Sequence, residues 1–237
     1  MKLYIFPTER KCNASCNFCI TKQRNLKGKE FLELKDLERA LTNLEIDKIE
    51  ITGGGEPLLN PHISEIIEIC SERAPVQLYT NGKLAEKTDL SKLNLLCISR
   101  AHYDNEQNKR IMGVDYNLDK IMKKNIPVKF SLLLHKKGID FVDGLVKYLD
   151  WAKTNKAECV VVRELMPLTN NQVHPDFIDS REVCDYFTAY LNRKSYFIPE
   201  GKSINYRGMD VFFKYKPMNC YENLFLHANG KLRRGIE

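Results

Sequence analysis

The sequence predicts an α/β fold built on a mainly parallel sheet, followed by a small β-rich tail. Two observations predict it. Short apolar runs of strand length alternate six times with segments of helical period, from Leu3 to about Leu191. From Tyr196 onward the helical segments stop and the pattern becomes strand, turn, strand. Alternation of this kind argues for right-handed βαβ units, and a chain of 237 residues buries one sizeable core.

Residues 3–7 form an apolar run closed by Pro7, the first strand, and a polar stretch rich in Asn and Lys follows to Lys29. In residues 32–44, Leu34, Leu37, Ala40, Leu41 and Leu44 fall at helical spacing. Residues 48–52 read as a strand ended by Gly53-Gly54-Gly55-Glu56-Pro57, and residues 62–74 as a helix with Ile63, Ile66, Ile67 and Cys70 on one face. Residues 76–80 are a strand closed by Asn81-Gly82, residues 83–93 a polar helical segment, and residues 95–99 a fourth strand. Residues 118–124 look helical, 128–134 strongly β-like, 140–154 an amphipathic helix, 159–165 a buried strand with three valines, and 181–191 a helix. In the tail, residues 203–215 and 224–232 read as antiparallel strands, the second broken by the hairpin signal Asn229-Gly230.

A net charge of +6, from 37 basic and 31 acidic residues spread along the chain, describes a solvated surface and argues only weakly for an anionic substrate. No run is apolar enough to span a membrane, nothing suggests nucleic-acid binding, and the N-terminus lacks a secretory pattern. A cytoplasmic location with reduced thiols is the expectation.

The chemistry concentrates in Cys12-Asn13-Ala14-Ser15-Cys16-Asn17-Phe18-Cys19, three cysteines within eight residues. Thiolates suit iron–sulfur clusters and zinc. A closed zinc site needs four ligands, and no second cysteine pair follows, although His62 or another cysteine is a formal fourth ligand. Three thiolates on a four-iron cluster leave one iron open to a small chelating molecule. The glycines at residues 53–55 lie one βα unit later and allow close backbone approach to such a ligand; alone they are a flexible turn.

Together, Cys12-x3-Cys16-x-Phe18-Cys19 after a first strand and Gly54-Gly55-Glu56-Pro57 at the end of the second resemble the signatures of the radical S-adenosylmethionine (radical SAM) superfamily. The resemblance implies a partial (β/α)6 TIM-like barrel over residues 1–195, with residues 196–237 as a small C-terminal β element covering its open side. It implies one [4Fe-4S] cluster on Cys12, Cys16 and Cys19. S-adenosylmethionine would chelate the open iron and be cleaved to methionine and a 5′-deoxyadenosyl radical, which takes hydrogen from the substrate. Cofactor-binding residues are expected at Phe18, Gly53, Gly54, Gly55, Glu56, Asn81, Ser99, Arg100, Ser131 and Leu165. Glu56 would face the cationic amino group. Ser99, Arg100 and Ser131 would hold ribose and carboxylate, and Phe18 and Leu165–Met166 would flank the adenine.

Arg163, adjacent to Glu164 after the valine strand, and His102 are expected to face the substrate, and Cys220 is a candidate hydrogen donor that is otherwise an inert thiol. Residues 100–113 are similar to text in the molybdenum-cofactor cyclase and peptide-modifying branches, and otherwise read as a loop and a short solvated helix. His62, His135, His174 and His227 are isolated and read as surface or loop histidines rather than ligands, and Cys70, Cys97 and Cys159 as core residues. The substrate expected is a small polar metabolite, a nucleotide or sugar derivative. Alternatives are a ribosomally made peptide, a glycyl-radical partner enzyme and, outside catalysis, a zinc-binding module. A flavodoxin- or ferredoxin-type electron donor is the implied partner.

Overall fold

The computed structural model describes residues 1–23, 31–166, 173–215 and 223–235. In chain order it begins with β1 (Lys2–Ile5), α1 (Ile20–Gln23), α2 (Leu34–Leu41), β2 (Lys48–Ile51), a 3-10 turn (Pro57–Leu59), α3 (Ile63–Ser71), β3 (Val76–Thr80) and β4 (Leu95–Ser99). It continues with α4 (Asn105–Met112), α5 (Leu118–Met122), β5 (Val128–Leu133), α6 (Val142–Thr154), β6 (Cys159–Arg163) and α7 (Ser180–Tyr190). The tail contributes β7 (Tyr196–Ile198), β8 (Gly201–Tyr206), β9 (Met209–Lys214), β10 (Leu224–Leu226) and β11 (Leu232–Arg234).

All these strands join one sheet in the order β11-β10-β1-β2-β3-β4-β5-β6-β9-β8-β7. From β10 through β9 every pairing is parallel, and only the β10–β11, β7–β8 and β8–β9 pairs are antiparallel. The two ends of the sheet do not pair, so it stays open. It is nonetheless rolled. Lys2 on β1 and Glu200 beside β8 are separated by seven strand steps, roughly 34 Å in a flat sheet at about 4.8 Å per step. Yet the charge of Lys2 acts on Glu200.

The two faces of the sheet differ because side chains alternate along each strand. Leu3, Ile49, Leu78, Ile98, Phe130, Val160 and Phe213 are fully buried in the main core, which includes the inward faces of α3, α6 and α7. The residues between them form the other, inner face: Tyr4 beside Glu50, Tyr79 beside Cys97, Ser99 beside Ser131, and Arg163 beside Lys214. Parallel sheets covered by helices on both sides are apolar throughout. Here the polar inner face is the side left for ligands.

Strands β3 and β4 match their expected limits to the residue, and the Asn229-Gly230 turn closes the β10–β11 hairpin. Three expectations change. Residues 83–93 form turns rather than a helix, with Ala85 and Lys87 donating to carbonyls three residues back. There the Asp89 side chain accepts from Ser91 N–H, the local competition that shortens helices. Residues 203–215 are two strands, β8 and β9, reversed at Arg207-Gly208, where both residues have positive φ (51° and 89°). The segment before Gly113 is the short helix expected, with Lys109 and Arg110 exposed, but its other side is not solvated: Asn108, Ile111 and Met112 are buried. Among the described residues no helix is long and apolar enough to cross a membrane.

Candidate cluster and cofactor site

The cysteine loop leaves the carboxyl end of β1 and is fastened along its length. At its entry Thr8 bridges Phe31, and Glu9 bridges Gly54 in parallel register. Arg10 N–H donates to the Gly54 carbonyl at 3.3 Å, and Glu56 N–H to the Lys11 carbonyl at 2.9 Å. The loop and the glycine segment after β2 are thus hydrogen-bonded side by side. In the middle, Ser15 N–H donates to the Met112 carbonyl at 2.8 Å, and the Cys16 thiol reaches the same oxygen at 3.7 Å. At the exit the Lys22 ammonium donates to the Ala14 carbonyl at 3.0 Å, and Thr21 Oγ1 lies 3.0 Å from the Cys19 sulfur. Beneath the loop Ala14, Ala101, Ile111, Met112 and Val114 form a small core of their own, against which Cys16 and Phe18 pack.

Gly113 makes that clamp possible. It caps α4 with a φ of +68°, and a Cβ there would stand 1.7 Å from Ser15 Oγ. Gly113→Ala is expected to cost roughly 2–4 kcal/mol, from the left-handed backbone and the overpacking together. Ser15→Gly in the same chain should recover part of it. Thermal unfolding of the two single variants and the double variant checks this, and strict additivity would refute the contact.

The three cysteines lie on this one loop. Cys12 is exposed and Cys16 and Cys19 are half-buried, and their charges act on one another. Burial, with Cys19 and Cys12 beside it, pushes the Cys16 thiol up to about 11, and burial likewise raises Cys12. Among the described residues no three His, Cys, Asp or Glu side chains converge as they would on a single ion. Three thiols on one ordered loop, with an adjoining glycine backbone for a ligand of the open iron, fit an iron–sulfur cluster.

Glu56 is 2% exposed, and its carboxylate accepts from Leu58 N–H (3.1 Å), Thr80 Oγ1 (2.6 Å) and Asn81 N–H (2.8 Å). Burial raises its pKa against these hydrogen bonds. Its observed contacts brace the end of β2 against the end of β3. Asn81 joins the site from β3, donating to Asn13 Oδ1 at 2.7 Å and approaching the Cys12 sulfur at 3.9 Å. Ser99 and Ser131 are cross-strand partners on the inner face. Leu165 is buried just past β6, and Met166 is exposed.

Arg100 is not where the sequence puts it. Strand alternation sends Ser99 inward and Arg100 outward. Its guanidinium sits 4.4 Å from the Trp151 ring centre and donates to Tyr116 Oη, the Tyr103 carbonyl and Asn105 Oδ1. It therefore ties β4 to the helical layer rather than meeting a cofactor carboxylate. His102, partly exposed, accepts from Asp104 N–H at 3.0 Å through Nδ1, and burial lowers its pKa. Arg163 lies on the inner face, and Cys220 lies outside the described residues.

His174 is buried and accepts from Asp176 N–H at 3.0 Å through Nδ1, and two further loop histidines are not isolated. His135 is 1% exposed, its ring 5.1 Å from that of Phe18, and burial holds it below its usual pKa. His227 Nδ1 meets Glu9 Oε1 at 2.8 Å, joining the end of β10 to the cysteine loop. The only local signal for either was the strand end before it.

Comparisons with known proteins bear on the family and the fold. Among curated relatives, a probable GTP 3′,8-cyclase of Archaeoglobus fulgidus is 27% identical over 219 residues, 81% of this chain and 72% of the relative. Another, from Pyrococcus horikoshii, is 30% identical over 141 residues, 54% of this chain and 45% of the relative. Among solved structures, SuiB of Streptococcus suis bound to the precursor peptide SuiA superposes with a TM-score of 0.72 at 17% identity, over 98% of this chain and 58% of SuiB. The chain thus spans well under two thirds of SuiB and of the second cyclase. At that identity the likeness to SuiB is one of fold, a partial TIM barrel, which the open rolled sheet matches. A family profile described as the radical SAM superfamily matches residues 7–145, more than half of the sequence. That match opens at the strand end bearing the cysteines, and the chain belongs to the radical SAM superfamily of enzymes.

Proposed function

We propose that Cys12, Cys16 and Cys19 hold a single [4Fe-4S] cluster, that S-adenosylmethionine lies across the ends of β2 to β5, and that the substrate is a small polar metabolite of the nucleotide or sugar type. The observation that carries this reading is the hydrogen-bonded seam between the cysteine loop and residues 53–56. It sets three thiols beside a partly exposed glycine backbone at the carboxyl end of a parallel sheet, where ligands of such folds gather. When bound, the cluster supplies the electron that splits S-adenosylmethionine into methionine and a 5′-deoxyadenosyl radical, which then abstracts hydrogen from the substrate.

The chain's own residues hold and orient. The glycine backbone of residues 53–55 receives the methionine moiety, with Glu56 fixing that backbone from behind. Asn81 steadies the loop at Cys12. Ser99 and Ser131 offer hydroxyls to ribose or carboxylate, and Phe18, backed by His135, offers an aromatic edge to the adenine with Leu165. Arg163 and His102 stand on the substrate side. Residues 1–195 form the catalytic unit in this reading, and residues 196–237 narrow its open side by adding strands to both edges. A flavodoxin- or ferredoxin-type protein delivers the electron.

The named activity of the cyclase relatives supports a metabolite substrate. A peptide substrate is the second reading, favoured by the fold shared with SuiB in its complex with a precursor peptide. The test is anaerobic purification, reconstitution with iron and sulfide, and incubation with S-adenosylmethionine and a strong reductant. The expected outcome is a brown protein that forms 5′-deoxyadenosine. A reconstituted protein that binds no iron, or that binds it and forms no 5′-deoxyadenosine, overturns the reading.

A further inference from the structure

The inner face of the rolled sheet carries more charge than any helix-facing layer, and its ion pairs do not balance. Lys48 stands 3.6 Å from Glu50, and Lys214 pairs with Glu200. Glu50 also accepts from Tyr79 Oη at 2.9 Å. Lys129, 7% exposed, donates to Tyr79 Oη at 3.2 Å and to Gln77 Oε1 at 3.4 Å, with its ammonium over the Tyr79 ring. Glu50 and Glu200 are therefore each matched to a lysine, Asp210 on β9 accepts from Asn205 Nδ2 at 3.2 Å, and Lys129 is occupied by neutral partners.

Among the described residues two cations of this face remain, Lys2, which is exposed at the start of β1, and Arg163, which is half-buried at the carboxyl end of β6. Arg163 is flanked by Leu133 on β5 and Lys214 on β9. Its carbonyl accepts from Leu134 N–H at 2.8 Å, and among the described residues its guanidinium makes no hydrogen bond or ion pair. Strand register puts it on the inner face, and its charge acts on Tyr79, Cys97 and Glu200. A guanidinium presents five donors in a planar fork, and leaving them unmatched in a half-buried place is costly. The partner that satisfies such a fork is an oxyanion bound through two oxygens. Glu200, an acid on which the Arg163 charge acts, is already held below its usual pKa, chiefly by the Lys214 hydrogen bond and charge acting against burial.

We propose that Arg163 heads an oxyanion subsite on the inner wall, and that the substrate carries a phosphate or carboxylate group which docks there. This rests on the reading that the substrate enters the sheet's inner side. Phosphate and carboxylate share the chemistry, and the test separates them.

Thermal unfolding of the full reconstituted chain is followed against inorganic pyrophosphate and, separately, succinate, with ionic strength held constant. The expected result is a saturable rise in Tm with at least one of them. Arg163→Gln should weaken that anion at least tenfold, and Arg163→Lys, which keeps charge and packing, should weaken it by less. Lys92→Gln, an exposed control, should leave it unchanged. A shift with pyrophosphate alone assigns a phosphoryl group, and one with succinate alone a carboxylate; a shift with both supports the subsite for either. Absence of a saturable shift, or an equal shift in Arg163→Gln, overturns the proposal. Should Arg163→Gln not fold, an Arg163→Lys variant that binds as tightly as the wild type overturns it as well. Formation of 5′-deoxyadenosine by the wild type is scored separately. A wild type that cleaves S-adenosylmethionine but binds neither anion sinks the subsite alone.

Discussion

A Cys16→Ala chain will fold, bind little or no iron–sulfur cluster, and form no 5′-deoxyadenosine. The fold is expected to survive because the thiol contributes one long contact to the Met112 carbonyl at 3.7 Å, and that oxygen keeps the Ser15 N–H at 2.8 Å. The stability cost is about 1 kcal/mol, that of one modest hydrogen bond and a small side chain. The chemical cost is total, because two thiolates do not anchor a four-iron cluster with one iron left open. Iron and sulfide per chain, thermal unfolding and product formation together check the result; a variant that keeps its cluster and its cleavage refutes the assignment of Cys16. The same thiols set a pH dependence. Burial and the neighbouring cysteines push Cys16 up to about 11 and raise Cys12, so without metal both thiols carry protons at neutral pH. Metal binding must release them. The fraction of chains reconstituted at limiting iron should therefore rise from pH 7 to pH 9, and a fall over that range would contradict it.

Much of this site is legible in the chain because its parts are local. The cysteines follow the first strand directly, and the glycines end the second. Strands β3 and β4 were readable to the residue, since Asn81-Gly82 and Arg100 close short apolar runs. What escaped were contacts between distant segments. The carbonyl of Met112 meets Ser15 and Cys16 some 96 positions earlier, and nothing in residues 105–113 signals that their apolar pair covers a loop rather than the main core. The parallel pairing of β9 with β6 and of β10 with β1 is equally remote.

Arg100 is a different kind of failure. Ser99 and Arg100 are adjacent in an extended strand end, so only one of them can face a given side. Glu50 and Lys129, charged residues inside strands that are otherwise apolar, carried the missing register. In a parallel sheet, alternating charge marks the face that helices do not cover. Taken across the strands, they place Ser99, Ser131 and Arg163 inward and Arg100 outward.

The seam between the two motifs makes Gly55 the least replaceable of the three glycines. A Cβ at Gly55 would stand 2.2 Å from the Lys11 carbonyl oxygen, 3.1 Å from its carbon and 3.2 Å from its nitrogen. These are backbone atoms and cannot swing aside. The φ of Gly55 is not positive, so the requirement is space rather than backbone conformation. The crowded carbonyl belongs to the residue before Cys12 and accepts Glu56 N–H at 2.9 Å. A methyl group must therefore move either the cysteine loop or the cofactor-facing glycines, at about 1–3 kcal/mol of stability. A shift of about 1 Å at a reacting centre costs about 100-fold in rate. Gly55→Ala is expected to stay folded and to lose S-adenosylmethionine cleavage by at least that factor, measured as 5′-deoxyadenosine formed per cluster. Gly54 supplies the contrast. A Cβ there meets only the Thr21 side-chain methyl, at 3.3 Å, which can turn away. Gly54→Ala should therefore lower Tm by less than Gly55→Ala. The reverse order would mean that the seam at Lys11 does not hold the two segments together.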